Sequence, residues 1–318
     1  MNWLNLQRVR LLSHITFGKM KTHYREKYKK NNKLEYKLLK EIVNSVKYIS
    51  STVDLTDDIL NYVRVPGFDR RLKVYDFINN IIRCSILHKE AFASSRFMNY
   101  GRDVVVCATG PSFDYFDPIP NAFYIGVNHA FRTKKPILFD VLFCQDVVST
   151  GFGGKVPPDM MSYRGKKCHK FFGNATPISL EIDPRTLLFN HYMADNSFNY
   201  RIDIHPLPDF TSVIFSAFSY ALWTTPKRIF IVGADCSSGH APSLNNPHNA
   251  GVNLSRLVKY WEKMKNFASW YYPGIEIISI NPIGLKGLFH DIYTESFLME
   301  HSEINPSQVE ILKIGENK

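Results

Sequence analysis

No apolar run in this chain approaches the ~18–20 uninterrupted residues that a membrane-spanning helix needs. A secretory signal pattern is also missing. Met1 to Leu12 is apolar only in patches, Arg8 and Arg10 interrupt it, and no small-residue cleavage site follows. Cysteine is scarce, with five in 318 residues: Cys84, Cys107, Cys144, Cys168 and Cys236. Their odd number and wide spacing argue against a disulfide framework, and the absence of any C-x-x-C pair argues against a zinc site. Read as reduced thiols filling the core, they lead to the expectation of a cytoplasmic protein. Neither a Walker loop nor a G-x-G-x-x-G fingerprint occurs, and no internal repeat is found.

What is present is a globular composition, 45% hydrophobic and 14% aromatic, long enough for one large domain or two modest ones. The formal charge of +10 is unevenly spread, because Met1 to Tyr48 holds 12 Lys or Arg against 3 Glu. The remaining 270 residues are nearly neutral, which argues against a nucleic-acid-binding body and points to a basic N-terminal arm. Within the arm, Trp3, Leu4, Leu6 and Val9 precede a basic stretch interleaved with Tyr24, Tyr28 and Tyr36. Such an arm suits an anionic membrane surface, at about 1 kcal/mol per basic residue near the headgroups. A solvated helical pair or a basic tail accounts for it equally.

Two strand-to-loop junctions stand out further on. Val104-Val105-Val106-Cys107 runs into Ala108-Thr109-Gly110-Pro111-Ser112, and Ile229-Phe230-Ile231-Val232 runs into Gly233-Ala234-Asp235-Cys236. Short, continuous apolar runs read as strands buried on both faces of an α/β sheet. Ligands in such sheets sit at the carboxyl ends of the strands, so both junctions are expected at one crevice. We read strands at 103–108, 122–127, 138–144, 168–172, 185–189, 228–233 and 275–280, with helices at 211–224 and 252–271. Residues 1–100 read as a helical, basic N-terminal region, 101–290 as the α/β domain and 291–318 as a C-terminal tail.

Several side chains at these junctions are suited to chemistry. Gly110 permits a close approach of backbone to a ligand, Pro111 suits the first turn of a helix, and Thr109 or Ser112 can cap it. A helix start after a buried strand is a phosphate site, although the same residues also make an ordinary strand–turn–helix junction. Asn128 ends the second strand and Gln145 follows the third, each offering an amide that donates and accepts. Thr211-Ser212 opens the helix at 211–224, where two hydroxyls and the helix N-terminus can hold an anion or simply cap. The stretch Gly233 to Gly251 is long for a connector and carries Asp235, His240 and His248. A histidine there can serve as a general base near neutral pH, or be an exposed loop residue.

In their order, these motifs resemble glycosyltransferase family 42, the bacterial sialyltransferases, and the related hydroxymethylpterin pyrophosphokinase-like domain. The likeness runs from about Asp103 to about Leu288 and rests on Cys107 to Ser112, Asn128, Gln145, Thr211-Ser212, Lys227 to Asp235 and Ile278 to Pro282. The resemblance implies a Rossmann-like, mostly parallel sheet (a GT-A-like variant) and transfer of a keto-sugar (sialic acid-like or Kdo) from a CMP-activated donor. Thr109, Gly110, Ser112, Asn128, Gln145, Ser212 and Asp235 would then line the donor site, and His248 would be the base, with His240 beside it. Thr109 and Gln145 each stand where the family has Asn. The loop also lacks the tyrosines that steady the departing phosphate in the family; His240, Ser238 or Arg256 are the substitutes at hand. No metal or other cofactor is implied, although Asp146 and Asp235 keep one open. The implied acceptor is a lipopolysaccharide or capsule glycan at the inner face of the cytoplasmic membrane. An ATP- and Mg²⁺-dependent pyrophosphokinase-like enzyme and a non-catalytic nucleotide-binding scaffold are the other readings.

Overall fold

The computed structural model describes residues 88–144, 158–163, 168–173, 186–189, 198–208, 210, 212–237, 239–244 and 254–313. The basic arm, Gln145, Asp146, Thr211, Ser238 and His248 lie outside the described residues. The described strands are β1 (Asp103–Cys107), β2 (Phe123–Val127), β3 (Val141–Cys144), β4 (His169–Gly173), β5 (Thr186–Phe189), β6 (Arg228–Val232), β7 (Glu276–Ile280), β8 (His290–Tyr293) and β9 (Glu310–Ile311). They form one sheet in the order β5-β4-β3-β2-β1-β6-β7-β8-β9, and every neighbouring pair is parallel. The architecture is therefore the α/β, parallel-sheet fold expected from the apolar runs.

Alternate residues on each central strand enter two separate cores, as the two-residue period of a strand requires. Val104, Val106, Ile125, Val127, Phe143, Ile229 and Ile231 face one side, where Phe143 stacks on Phe171 with ring centroids 4.6 Å apart. Val105, Cys107, Tyr124, Leu142, Phe230, Val232 and Ile278 face the other. Both faces are covered, which is why these strands read as unbroken apolar runs.

The two faces are covered differently. Helix α2 (Ile214–Trp223) lies on the first, and all ten of its residues are buried. It is sandwiched between the sheet and α3 (Leu254–Tyr271), whose Trp261 meets Phe215 at 5.0 Å and Phe218 at 5.2 Å. Helix α3 is amphipathic: Tyr260, Trp261, Met264 and Ala268 are buried, while Glu262, Lys263 and Lys265 are exposed. The second face is covered by single 3-10 turns at Pro111–Tyr115, Asn128–Arg132 and Pro242–Leu244, which bring in Phe113, Phe131 and Leu244. The short helix α1 (Pro158–Ser162) places Met160 in the same core.

Several boundaries differ from the sequence reading. Helix α2 starts at Ile214 rather than 211, and β3 at Val141 rather than 138. Residues 88–100, the described part of the first hundred, pack on the α/β body, a point that the sequence leaves open. Residues 88–93 are helical, the indole N–H of Trp223 donates to the Phe92 carbonyl at 2.7 Å, and Asn99 bonds both the backbone and the hydroxyl of Thr224. His88, fully buried, bonds the carbonyls of Ile202 and His205, and burial pushes its pKa down to about 4. At the other end the sheet does not stop at residue 290. β8 and β9 extend it, and Thr294 caps α4 (Glu295–Glu300) by accepting from the Phe297 N–H. These edge strands, HDIY and EI, are short and charged, as exposed edges tend to be, and so carry little apolar signal.

Gly126 in β2 is held by packing. A Cβ there would lie 2.8 Å from Leu142 Cδ2 and 2.8 Å from Phe139 Cδ1. Gly126→Ala is expected to destabilise the fold by about 1–3 kcal/mol, read from chemical denaturation. An unchanged midpoint would mean that the sheet gives way there at no cost.

Candidate functional site at the strand switch

From β1 the chain winds outward through β2 to β5 on one side, then returns to lay β6 to β9 on the other. The point of reversal lies between β1 and β6, the switch point beside which open parallel sheets hold their ligands. Thr109-Gly110 leaves β1 and Gly233 to Cys236 leaves β6, so the two junctions meet at one place.

The two loops are stitched together. Parallel pairing continues past the strands through Ala108 N–H to Val232 O at 2.8 Å and Gly110 N–H to Gly233 O at 2.7 Å. Gly110 has to be glycine here, since a Cβ would lie 2.5 Å from Asp235 Oδ2 and 2.6 Å from the Gly233 carbonyl. Gly233 itself makes the turn out of β6 with φ of 68°, a conformation that favours glycine. Asp235 then reaches back across the switch. Its Oδ2 accepts the Ser112 N–H at 2.7 Å, and its Oδ1 accepts the Ser112 hydroxyl. Further along, Ala241 N–H donates to Thr109 O at 2.7 Å, and both the N–H and the hydroxyl of Ser243 bond Asp114. Between these ties His240 is held against Thr109, Nδ1 to Oγ1 at 2.9 Å.

This geometry changes the roles read for two residues. Ser112 and Asp235, expected to line a donor site, are both buried and bonded to one another, so their polar atoms are spent on holding the two loops together. The phosphate-binding helix start expected after Gly110 is a single 3-10 turn. Its donors are already engaged: Gly110 N–H by Gly233 O, Ser112 N–H by Asp235 and Phe113 N–H by the Gly110 carbonyl at 3.0 Å.

A second place for an anion lies on the same edge. α2 leads directly into β6, so it runs antiparallel to the strands and points its N-terminus at their carboxyl ends. The N-cap residue, Val213, has no side chain that can cap. Ser212, half-buried, precedes it. Arg256, in the first turn of α3, bonds the Tyr260 hydroxyl through Nε, and the Tyr260 ring packs 4.2 Å from Phe210, two residues before Ser212. Asn128, also half-buried, closes β2 with φ of 47°, a left-handed conformation that asparagine tolerates well. Asp114 and Ser243 were missed. Neither carries a sequence signal, because the contact between them spans 129 positions.

Among the described residues, no group of three or more His, Cys, Asp or Glu side chains is placed to hold a metal ion, and no helix is long and apolar enough to cross a membrane. Cys107, Cys144, Cys168 and Cys236 form no disulfide, and burial raises the pKa of Cys168 and of Cys236 to about 12. They are inert core residues rather than nucleophiles.

No family model and no curated protein matches the chain. Two solved structures share part of the fold. The sialyltransferase CstII from Campylobacter jejuni, in complex with the substrate analogue CMP-3FNeuAc, is 14% identical at a TM-score of 0.36, covering 56% of this chain and 80% of that one. The monofunctional alpha-2,3-sialyltransferase Cst-I from Campylobacter jejuni is 11% identical at a TM-score of 0.33, covering 56% and 75%. Likeness at this level bears on neither donor nor acceptor.

Burial pushes the Asp235 carboxyl up from its ordinary 3.8 to about 6, against the opposing pull of the two Ser112 hydrogen bonds. The folded state thus binds this proton more tightly than the unfolded chain. The contribution to stability is greatest below pH 3.8 and falls as pH rises to about 6, by roughly 3 kcal/mol. Asp235→Asn is expected to flatten stability against pH across that window in urea titrations; a slope that persists in the variant belongs to another group. Gly110→Ala is expected to cost more than 2 kcal/mol or so by the same measurement, because the atoms that it meets are a buried carboxylate and a backbone carbonyl.

Proposed function

We propose that the protein is a glycosyltransferase that moves a nonulosonate-type keto-sugar (sialic acid-like or Kdo) from a CMP-activated donor to a lipopolysaccharide or capsule glycan. The observation that carries this reading is the joining of Thr109 and His240 at the crevice between β1 and β6. It puts a titratable imidazole where a parallel α/β sheet holds its ligands. The order of motifs from Cys107 to Pro282 supports the choice of donor.

In this reading the acceptor hydroxyl oxygen attacks the anomeric carbon as the bond from that carbon to the CMP phosphate oxygen breaks. Two demands follow. A base must take the hydroxyl proton, and the charge gathering on the departing phosphate must be met. His248 is the proposed base. His240, from the same loop, is the alternative base: in the tautomer that carries its proton on Nδ1, Thr109 Oγ1 accepts and the lone pair lies on Nε2. The departing phosphate is met by the N-terminus of α2 with Ser212 and by the guanidinium of Arg256. Thr109, Gly110 and Asn128 are the proposed nucleoside contacts, with Gln145 from the loop after β3. No metal is assigned a role. The basic arm would hold the enzyme at the anionic surface where such acceptors are built.

Thermal shift with CMP, UDP, GDP and ATP, each with and without Mg²⁺, tests the reading. Selective stabilisation by CMP that is indifferent to Mg²⁺ is expected. Stabilisation only by ATP with Mg²⁺ would move the assignment to pyrophosphoryl transfer, and no shift with any nucleotide would leave a scaffold. With a CMP-sugar donor, His248→Ala is expected to lower transfer by about 100-fold or more while CMP still binds. Should His240→Ala have that effect and His248→Ala none, the base is His240.

A further inference from the structure

The edge of the sheet opposite the crevice has a different chemistry. Loops entering the strands carry large apolar side chains that point into solvent. Phe97 is 57% exposed, Tyr100 80%, Trp270 83% and Tyr271 56%, and Leu138, ahead of β3, is 50% exposed. Phe97 and Tyr100 precede β1, while Trp270 and Tyr271 end α3 just before β7. Part of this set is continuous. Arg96 lies 5.0 Å from the Phe97 ring and 5.5 Å from that of Tyr200, and Tyr200 stacks on Tyr271 at 5.6 Å.

Phe97 is held outward at some cost. Its φ is 63°, a left-handed conformation that a bulky side chain rarely adopts. The buried residues on either side impose it: the Ser95 hydroxyl bonds Phe92 O at 2.9 Å, and Asn99 N–H bonds Thr224 O at 3.1 Å. A polar residue or glycine would fill this solvent-facing turn more easily.

The charge on this edge is basic. Arg102, Lys134, Lys135 and Lys227 are on the same loops. Of the carboxylates at this end of the sheet, Asp103 pairs with Arg228, Glu276 with His290, and Asp140 accepts the Tyr124 N–H. Residues 88–93, through which the basic first 48 residues join the body, lead directly into this edge.

We propose that the amino-terminal edge of the sheet docks on an anionic lipid bilayer, with Phe97, Tyr100, Trp270 and Tyr271 entering the headgroup layer and the basic loops meeting lipid phosphates. Aromatic side chains favour that layer, and each basic residue near it adds attraction. From the loop before β1 to the end of α3 before β7 is two strand spacings, roughly 10 Å, and the basic loop before β3 lies two spacings further out. Contacts spread along the edge in this way suit a flat surface better than a groove-bound peptide. This surface belongs to the α/β body and is independent of the chemistry assigned to the crevice.

The test uses the full chain and vesicles of phosphatidylcholine, alone or with about one-third phosphatidylglycerol. Trp3, Trp223 and Trp261 are common to both proteins, so the difference in fluorescence between the wild type and Trp270→Phe reports Trp270. Brominated lipid in the anionic vesicles is expected to quench that difference signal, with little effect in neutral vesicles. Tyr100→Ser combined with Trp270→Ser, both at exposed positions, is expected to weaken partitioning about tenfold without changing the thermal midpoint. Three results would overturn the proposal. One is sedimentation with vesicles while Trp270 stays unquenched, which would assign binding to the basic arm alone. Another is absence of binding to anionic vesicles. The third is a concentration-dependent dimer that the double variant dissolves and that vesicles do not compete with, which would give the face to a second copy of the chain.

Discussion

The pairing of β1 with β6 is the contact on which the rest of the molecule depends. At its amino end the Arg228 guanidinium clasps the Asp103 carboxylate with two hydrogen bonds, at 2.8 and 2.6 Å. Along its length, five residue pairs from Asp103↔Arg228 to Cys107↔Val232 stay in register, with Val105 and Phe230 buried in one core and Val104 and Ile229 in the other. Past its carboxyl end, Gly110 packs against Gly233 and Asp235 so closely that no side chain fits between. Since the chain winds away from this pair in both directions, the positions of Asn128, Ser212 and His240 are all set relative to it.

The buried carboxylate of Asp235 shows how this junction trades interactions. Burial disfavours its charge, and the hydroxyl and N–H of Ser112 partly offset that penalty. In return it locks the turn after β1 to the loop after β6, and the same loop carries His240 to Thr109. The backbone donors that a phosphate would use elsewhere in this fold class are engaged internally here. The N-terminus of α2, by contrast, has a valine as its N-cap residue and no side-chain cap. The two edges of the sheet are thereby given separate work, polar and tightly bonded at the carboxyl ends, aromatic and basic at the amino ends.

How much could be read in advance varied with the kind of signal. Seven strands were legible because burial on both faces demands unbroken apolar runs such as VVVC and RIFIV. α3 was legible from its amphipathic period, and α2 from its length and its closing Pro226. β8 and β9 were not, since edge strands of four and two residues hold charges that break the pattern. The meeting of the two junctions was legible from Thr109-Gly110 and Gly233 to Asp235, whereas the burial of Ser112 against Asp235 was not: glycine and serine beside a strand end look the same whether they face a ligand or each other. The partnership of Asp114 with Ser243 left no trace in either local segment.

By itself, then, the sequence determined the class of sheet, the ends of its central strands and the small set of polar residues found there, because hydrophobic period and turn chemistry are local properties. Only the tertiary structure decided which of those polar residues face the crevice and which are consumed in holding it. It also decided that residues 88–100 and 290–311 belong to the body, and that Phe97, Tyr100 and Trp270 share one edge. The reason is physical. Those outcomes depend on contacts between positions far apart in the chain, such as Ser112 with Asp235 across 123 positions and Phe92 with Trp223 across 131. Which contacts form is settled by the packing of the whole sheet and not by the residues on either side.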